Sequence, residues 1–215
     1  MLFPDMAKPK PAHDPGGKVR IPLKRGVTGS AVFGGKANEY RYRLNRSWDC
    51  SKPVALFVLM NPSTADPAFD DSTVAKCCRF AQAWGIYGGI VVTNTFAYRC
   101  TDQKRLLEIS DPIGPDNDRH IIEMAKQAAV VVFAYGKPKH KQLRSRGADL
   151  ARLLIAKANV KPHILSLGKD GTPKHPLYLK ETLKPVVWQL EHPPLSSQLL
   201  ACQRPKDISA QRFII

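Results

Sequence analysis

Four short apolar runs, separated by stretches of helical period, constrain the fold of this chain more than any other feature. They lie at residues 54–60, 90–93, 129–134 and 163–167. Each is continuously apolar or nearly so, rather than alternating, which is the pattern of strands buried on both faces. Between them run three amphipathic stretches. Residues 72–84 carry Val74, Cys77, Cys78, Ala81 and Trp84, with Asp71 placed to cap the start. Residues 116–128 carry Ile121, Ile122, Met124 and Ala125, and residues 143–158 carry Leu150, Leu153, Leu154 and Ala158 on one stripe. Ahead of the first run, residues 31–33 and 40–44 flank Gly34-Gly35 and read as a β-hairpin, while residues 186–188 read as an edge strand. Strand alternating with helix implies a parallel sheet covered on both sides. The predicted fold is a three-layer α/β/α sandwich around a central, mostly parallel, four-stranded sheet.

A chain of 215 residues holds one sizeable core with loose ends. Residues 1–28 contain five prolines and a net charge of +4, and read as a flexible basic arm. Residues 29–189 form the domain, and residues 190–215, with Pro193-Pro194 and a serine pair, form an extended tail. The net charge is +15, of which the domain itself carries +10. This imbalance points to a polyanionic partner, with nucleic acid foremost and DNA ahead of RNA. The competing reading is a merely basic surface. No apolar run approaches the ~20 residues of a membrane span, and the N-terminus lacks the apolar stretch of a signal peptide. The expectation is a cytoplasmic monomer with no membrane partner. The five cysteines form no CxxC pair, so neither a metal site nor a cofactor is expected, and adjacent Cys77 and Cys78 read as core filling. Neither a P-loop, a GxGxxG turn nor a GxSxG elbow is present.

In a parallel sheet, ligands bind beyond the carboxyl ends of the strands. The residues there are Asn61-Pro62-Ser63, Asn94, Gly136-Lys137 and the glycine-bounded loop at 168–178. Asn61 offers an amide to position a water or grip a polar edge; the alternative is a turn made by Asn-Pro. Asp66 is open between general base and structural residue, and Asp71 reads as a helix cap. Asn94 offers an amide to a base edge or to its own loop. Arg99 and Lys104 are phosphate contacts or surface charge. In the loop, Lys169 and Lys174 supply charge, His175 can donate to a developing anion, and Leu177 and Tyr178 can wedge or stack against bases.

The segments YRYRLNRSWD, LMNPSTAD, VVTNTFAYRCTD, DPIGPDND and GTPKHPLYL together resemble a widespread family of uncharacterised bacterial and phage proteins, over about residues 29–188. More distantly, Asn61-Pro62-Ser63, Thr93-Asn94 and His175-Pro176-Leu177 are similar in order and spacing to motifs of the uracil-DNA glycosylase superfamily. That resemblance implies a glycosylase-like fold that hydrolyses an N-glycosidic bond. Asn61 would position the attacking water, with Pro62 and Ser63 beside it. Asn94 would bond the flipped base, Phe69 or Phe96 would stack on it, His175 would stabilise the leaving base and Leu177 would plug the gap. The chain departs from the pattern in the Leu59-Met60 before Asn61 and in HPLY where glycosylases commonly carry HPS. The implied function is removal of a damaged or modified base from DNA. The rivals are a non-catalytic nucleic-acid-binding module, and a hydrolase or transferase of free nucleotides with Asp66 or Asp71 as base.

Overall fold

In the computed structural model, residues 19–190 are described. The four apolar runs form β4 (Val54–Leu59), β6 (Gly89–Asn94), β7 (Val130–Phe133) and β8 (Pro162–Ile164), and all four are mutually parallel. The helices between them are α1 (Ser72–Trp84), α2 (Asn117–Gln127) and α3 (Arg146–Ala158). Asp71 caps α1 as expected: its Oδ1 accepts from the N–H groups of Thr73 and Val74, both at 2.9 Å. The helix stops at Gly85, which adopts the left-handed conformation at φ 76°.

The sheet is larger than four strands. The hairpin of β2 (Thr28–Gly34) and β3 (Tyr40–Ser47) joins antiparallel beside β6, and β9 (Val186–Val187) joins antiparallel beside β8. The order is β2-β3-β6-β4-β7-β8-β9, a seven-stranded mixed sheet. Hydrophobic periodicity marks strands but not their neighbours, and so the hairpin's attachment escaped it. A second departure concerns residues 19–28, which sequence assigned to the arm. Here β1 (Ile21–Pro22) pairs with β5 (Phe69–Asp70), Arg20 lies 4.2 Å over the Phe69 ring, and its guanidinium bonds Asp66 at 2.7 Å. A two-residue pairing held by one cation–π contact and one ion pair has no sequence period to betray it. Residues 1–18 of the arm and 191–215 of the tail lie outside the described residues.

The alternation of β4 sorts its side chains onto two cores. Ala55, Phe57 and Leu59 pack with Val74, Cys77, Phe80 and Ala81 of α1. Leu56 and Val58 pack with Ile121 of α2 and Leu150 and Leu154 of α3. Each such fully buried large side chain contributes about 1.5–3 kcal/mol. The result is a mixed α/β fold in which β4 alone is followed by a helix on its face, while β6 and β7 send their helices to the other. The helices that follow β4 and its two neighbours therefore lie on opposite faces, a topological switch of the kind beside which ligands bind in such sheets.

One irregularity matters for that edge. Val32 pairs with Arg43 but Phe33 pairs with Arg41, so β3 carries an extra residue, Tyr42, opposite that step. Such a bulge reverses the alternation beyond it. Arg41 and Arg46, five positions apart, thereby reach the same loop. Arg41 Nη1 donates to the carbonyl of Ala65 at 2.8 Å, and Arg46 Nη2 to the carbonyl of Asp66 at 2.7 Å. Tyr42 instead stacks on His120 of α2, with ring centres 4.9 Å apart.

Candidate functional site

The loop after β4 is stitched to the segment after β6. Asn61 Nδ2 donates to the carbonyl of Cys100 at 2.6 Å, Cys100 N–H donates to the carbonyl of Pro62 at 3.0 Å, and Ser63 Oγ lies 3.4 Å from Thr101 Oγ1. The amide donor of Asn61 is thus used by the chain, while its Oδ1 accepts no hydrogen bond from the described residues and remains an acceptor for a ligand or water.

Further along the same loop, both oxygens of Asp66 are engaged. Oδ1 accepts from the N–H groups of Ala68 and Phe69, and Oδ2 from Arg20. Asp66 acts here as a turn former, and Arg20 occupies its other oxygen. Arg46 is fully sequestered: Nε meets Asp70 at 2.7 Å and the remaining nitrogens take carbonyls of Asn45, Asp66 and Phe69. Burial raises the Asp70 carboxyl above its ordinary range despite that partner.

Asn94 ends β6 at 1% exposure. Its Oδ1 accepts from Arg41 Nη2 at 3.3 Å and its backbone carbonyl from Asn117 Nδ2 at 2.9 Å, while its own Nδ2 is buried without a partner. Burial pushes the Arg41 pKa down to about 10, against a smaller opposing pull from Asp71. Phe96 is packed into the core at 4% exposure rather than lining the edge. Arg99 turns toward the hairpin, donating to the carbonyl of Asn38 at 3.0 Å and lying 5.0 Å over the Phe33 ring.

The loop after β8 turns at Gly171 and returns as a short 3-10 turn, Pro176–Tyr178, that packs on α1. His175 caps this turn, its Nδ1 accepting from Leu177 N–H at 3.4 Å. Burial lowers the His175 pKa below its usual 6.5, against a smaller opposing pull from Asp71. A neutral ring that accepts at Nδ1 carries its proton on Nε2, so His175 presents one N–H donor. Gly136, at φ 71°, lies so near that a Cβ there would stand 2.9 Å from His175 Cβ. The glycine after β7 is what lets the histidine settle at the sheet edge.

Around His175 opens a cavity of about 400 Å³, lined by Gln103, Tyr135, Gly136, Lys137, Lys174 and Tyr178. Tyr178 is 85% exposed and tilts against His175 with ring centres 5.9 Å apart; Leu177 beside it is also exposed. Of the residues predicted from sequence, Gly136, Lys137, Lys174, His175 and Tyr178 meet at this cavity. Asn61, Pro62, Ser63 and Asn94 occupy the adjoining strand ends but do not line it, and Phe96 and Arg99 serve core and hairpin. Sequence reasoning missed Gln103 and Tyr135 as lining residues, and missed Arg41 altogether. Tyr135 was findable as the second residue beyond β7. Arg41 was hidden by the bulge, without which its burial has no pattern.

No group of three or more His, Cys, Asp or Glu among the described residues is arranged to hold a metal ion. Nor is any described helix long and apolar enough to cross a membrane.

A family model described as a protein of unknown function, DUF1643, matches residues 41–177. The chain belongs to the DUF1643 family. Neither a curated protein nor a solved structure matches it. The matched region opens at the buried Arg41 and closes at Leu177, and so contains every residue lining the His175 cavity except Tyr178.

Proposed function

We propose that this DUF1643 protein acts on nucleic acid as a DNA glycosylase-like enzyme, hydrolysing the N-glycosidic bond of a damaged or modified base. The single observation that carries the reading is His175. It is a neutral histidine with one free N–H, fixed by Leu177 N–H and Gly136 at the rim of a cavity. A departing base accumulates negative charge, and a preorganised N–H donor in a partly dry site stabilises that charge. Asn61 Oδ1 accepts a hydrogen bond from a water and orients it toward the sugar C1′. The water oxygen bonds C1′, the C1′–N bond breaks, and the water's proton ends on the released base. Leu177 and Tyr178, exposed beside the cavity, supply the wedge and stacking surface that a flipped nucleotide needs. The basic domain suits a DNA partner, and helices on both faces of a parallel sheet core are compatible with a three-layer glycosylase-like fold. Asp66 enters no step.

A second reading, a nucleic-acid-binding module without turnover, is favoured by the sequestration of Asn94. Its side-chain Oδ1 accepts from Arg41 and its Nδ2 is buried, so the amide presents neither atom to a base.

The test is abasic-site formation on single- and double-stranded oligonucleotides carrying uracil, hydroxymethyluracil, hypoxanthine or hypermodified bases. The expected result is release of one of these bases, reduced about 100-fold or more in His175→Ala and in Asn61→Ala, with DNA binding retained. Binding without release across the panel, in the wild-type protein, would establish the second reading instead.

A further inference from the structure

Next to the His175 cavity lies a second one of about 240 Å³, lined by Lys137, Gly168, Lys169, Asp170, Thr172, Pro173 and Lys174. Lys137 and Lys174 line both, so the two adjoin. The ionisable side chains of the second cavity are three lysines and one aspartate. Asp170 is already committed: its Oδ2 meets Lys137 Nζ at 2.8 Å and its Oδ1 accepts from Thr172 N–H at 3.2 Å. Lys169 and Lys174 form no ion pair among the described residues. The lysines do not arise from one helix face. They come from two separate loops, after β7 and after β8, brought together where the N–H of Gly136 bonds the carbonyl of Pro173 at 3.0 Å.

We propose that this lysine-lined cavity is a phosphate seat, and that the ligand of the His175 site is a phosphate ester of a nucleotide rather than a free base or nucleoside. The inference rests on the reading of the His175 cavity as a nucleobase site, and extends it to the charged part of the same ligand. Ammonium groups on flexible stems suit a phosphate as converging point charges. The uncompensated lysines make the cavity net positive even with Asp170 in place. The phosphate can belong to a nucleic-acid backbone or to a free nucleotide, since the recognising chemistry is the same.

The experiment uses the full chain and two variants of equal charge. One carries Lys137→Gln, Lys169→Gln and Lys174→Gln; the control carries Lys36→Gln, Lys126→Gln and Lys157→Gln, all exposed and remote in sequence from the cavity. Thermal melting verifies that both fold. Binding is measured for a 5′-fluorescein single-stranded oligonucleotide, for deoxynucleoside 5′-monophosphates and for the matching deoxynucleosides. The expected result is that the cavity variant weakens a phosphate-bearing probe about tenfold or more, and lowers the salt slope by about two, while the control changes affinity less than about threefold. Oligonucleotide binding alone identifies a backbone phosphate, and mononucleotide binding identifies a free nucleotide; either supports the seat. Equal weakening by both variants, nucleosides bound as tightly as nucleotides, or no probe bound by the wild-type protein overturns it. Base release that is indifferent to the lysines would leave the glycosidic reading standing and remove the seat. Lysine-dependent binding without base release would do the reverse.

Discussion

His175 loses its charge to its surroundings, and the loss has a direction that can be measured. Burial depresses its pKa in the folded chain, and the unfolded chain restores it to about 6.5. Below 6.5 the unfolded state therefore binds more protons. The stability contributed by a neutral His175 is complete above 6.5 and is lost as pH falls through the lower, folded value. His120, stacked on Tyr42 and also depressed by burial, acts with the same sign. The denaturation midpoint should fall between pH 7.5 and pH 5.5, and His175→Gln should remove part of that fall, with His120 supplying the remainder. Base release should follow the same limb, since a doubly protonated ring gives up the Leu177 N–H bond that orients it. An activity that rises toward acid pH would show that the imidazolium, not the imidazole, is the working form.

At the scale of the element, the carboxyl edge is assembled from contacts in which side chains are missing. Gly136 gives way to His175, and Gly147 at the start of α3 gives way to the Tyr135 ring, which an added Cβ would overlap. Gly136→Ala combines a left-handed backbone, which costs a non-glycine residue about 1–2 kcal/mol, with displacement of His175. The expected outcome is a modest drop in melting temperature together with a loss of base release larger than the stability change explains. Unchanged release would mean that His175 tolerates movement and does not act through fixed geometry.

These contacts also mark where sequence stops informing. The parallel strands and the three helices were legible because continuous apolar runs and a 3.6-residue stripe are direct records of burial, and the Asp71 cap because its acceptor must sit before the first turn. His175, Lys174 and Tyr178 were legible as a group because glycine and proline bound their loop. Asn94 was not: a polar residue at a strand end looks like a loop residue, and only its neighbour Arg41 makes burial tolerable. The pairing of β1 with β5 was illegible for a different reason, since two residues carry no period.

For the whole molecule, the parallel strands sit inside and antiparallel ones close both margins. Amide hydrogen exchange should be slowest in β4 and β6, which are bonded on both sides and almost wholly buried, and fast in β9, whose Val186 and Val187 are exposed at the margin. The pairing of β1 with β5 should exchange at rates set by local opening, well ahead of global unfolding. Slow exchange in β1 would instead make residues 19–28 an integral part of the core.

The extra residue in β3 has an effect that extends past its own strand. A regular strand speaks to any one neighbour only at every second residue, so two side chains an odd number apart face opposite ways. By breaking step at Tyr42, β3 grips the same eleven-residue segment at two points, with Arg46 holding its far end and Arg41 its middle. The segment so gripped is the one that leaves Asn61 and arrives at Asp71. A hairpin on the sheet's flank thus works as a clamp whose spacing is set by a single inserted residue. The length of β3, more than its composition, fixes how far the start of α1 stands from the strand that delivers Asn61.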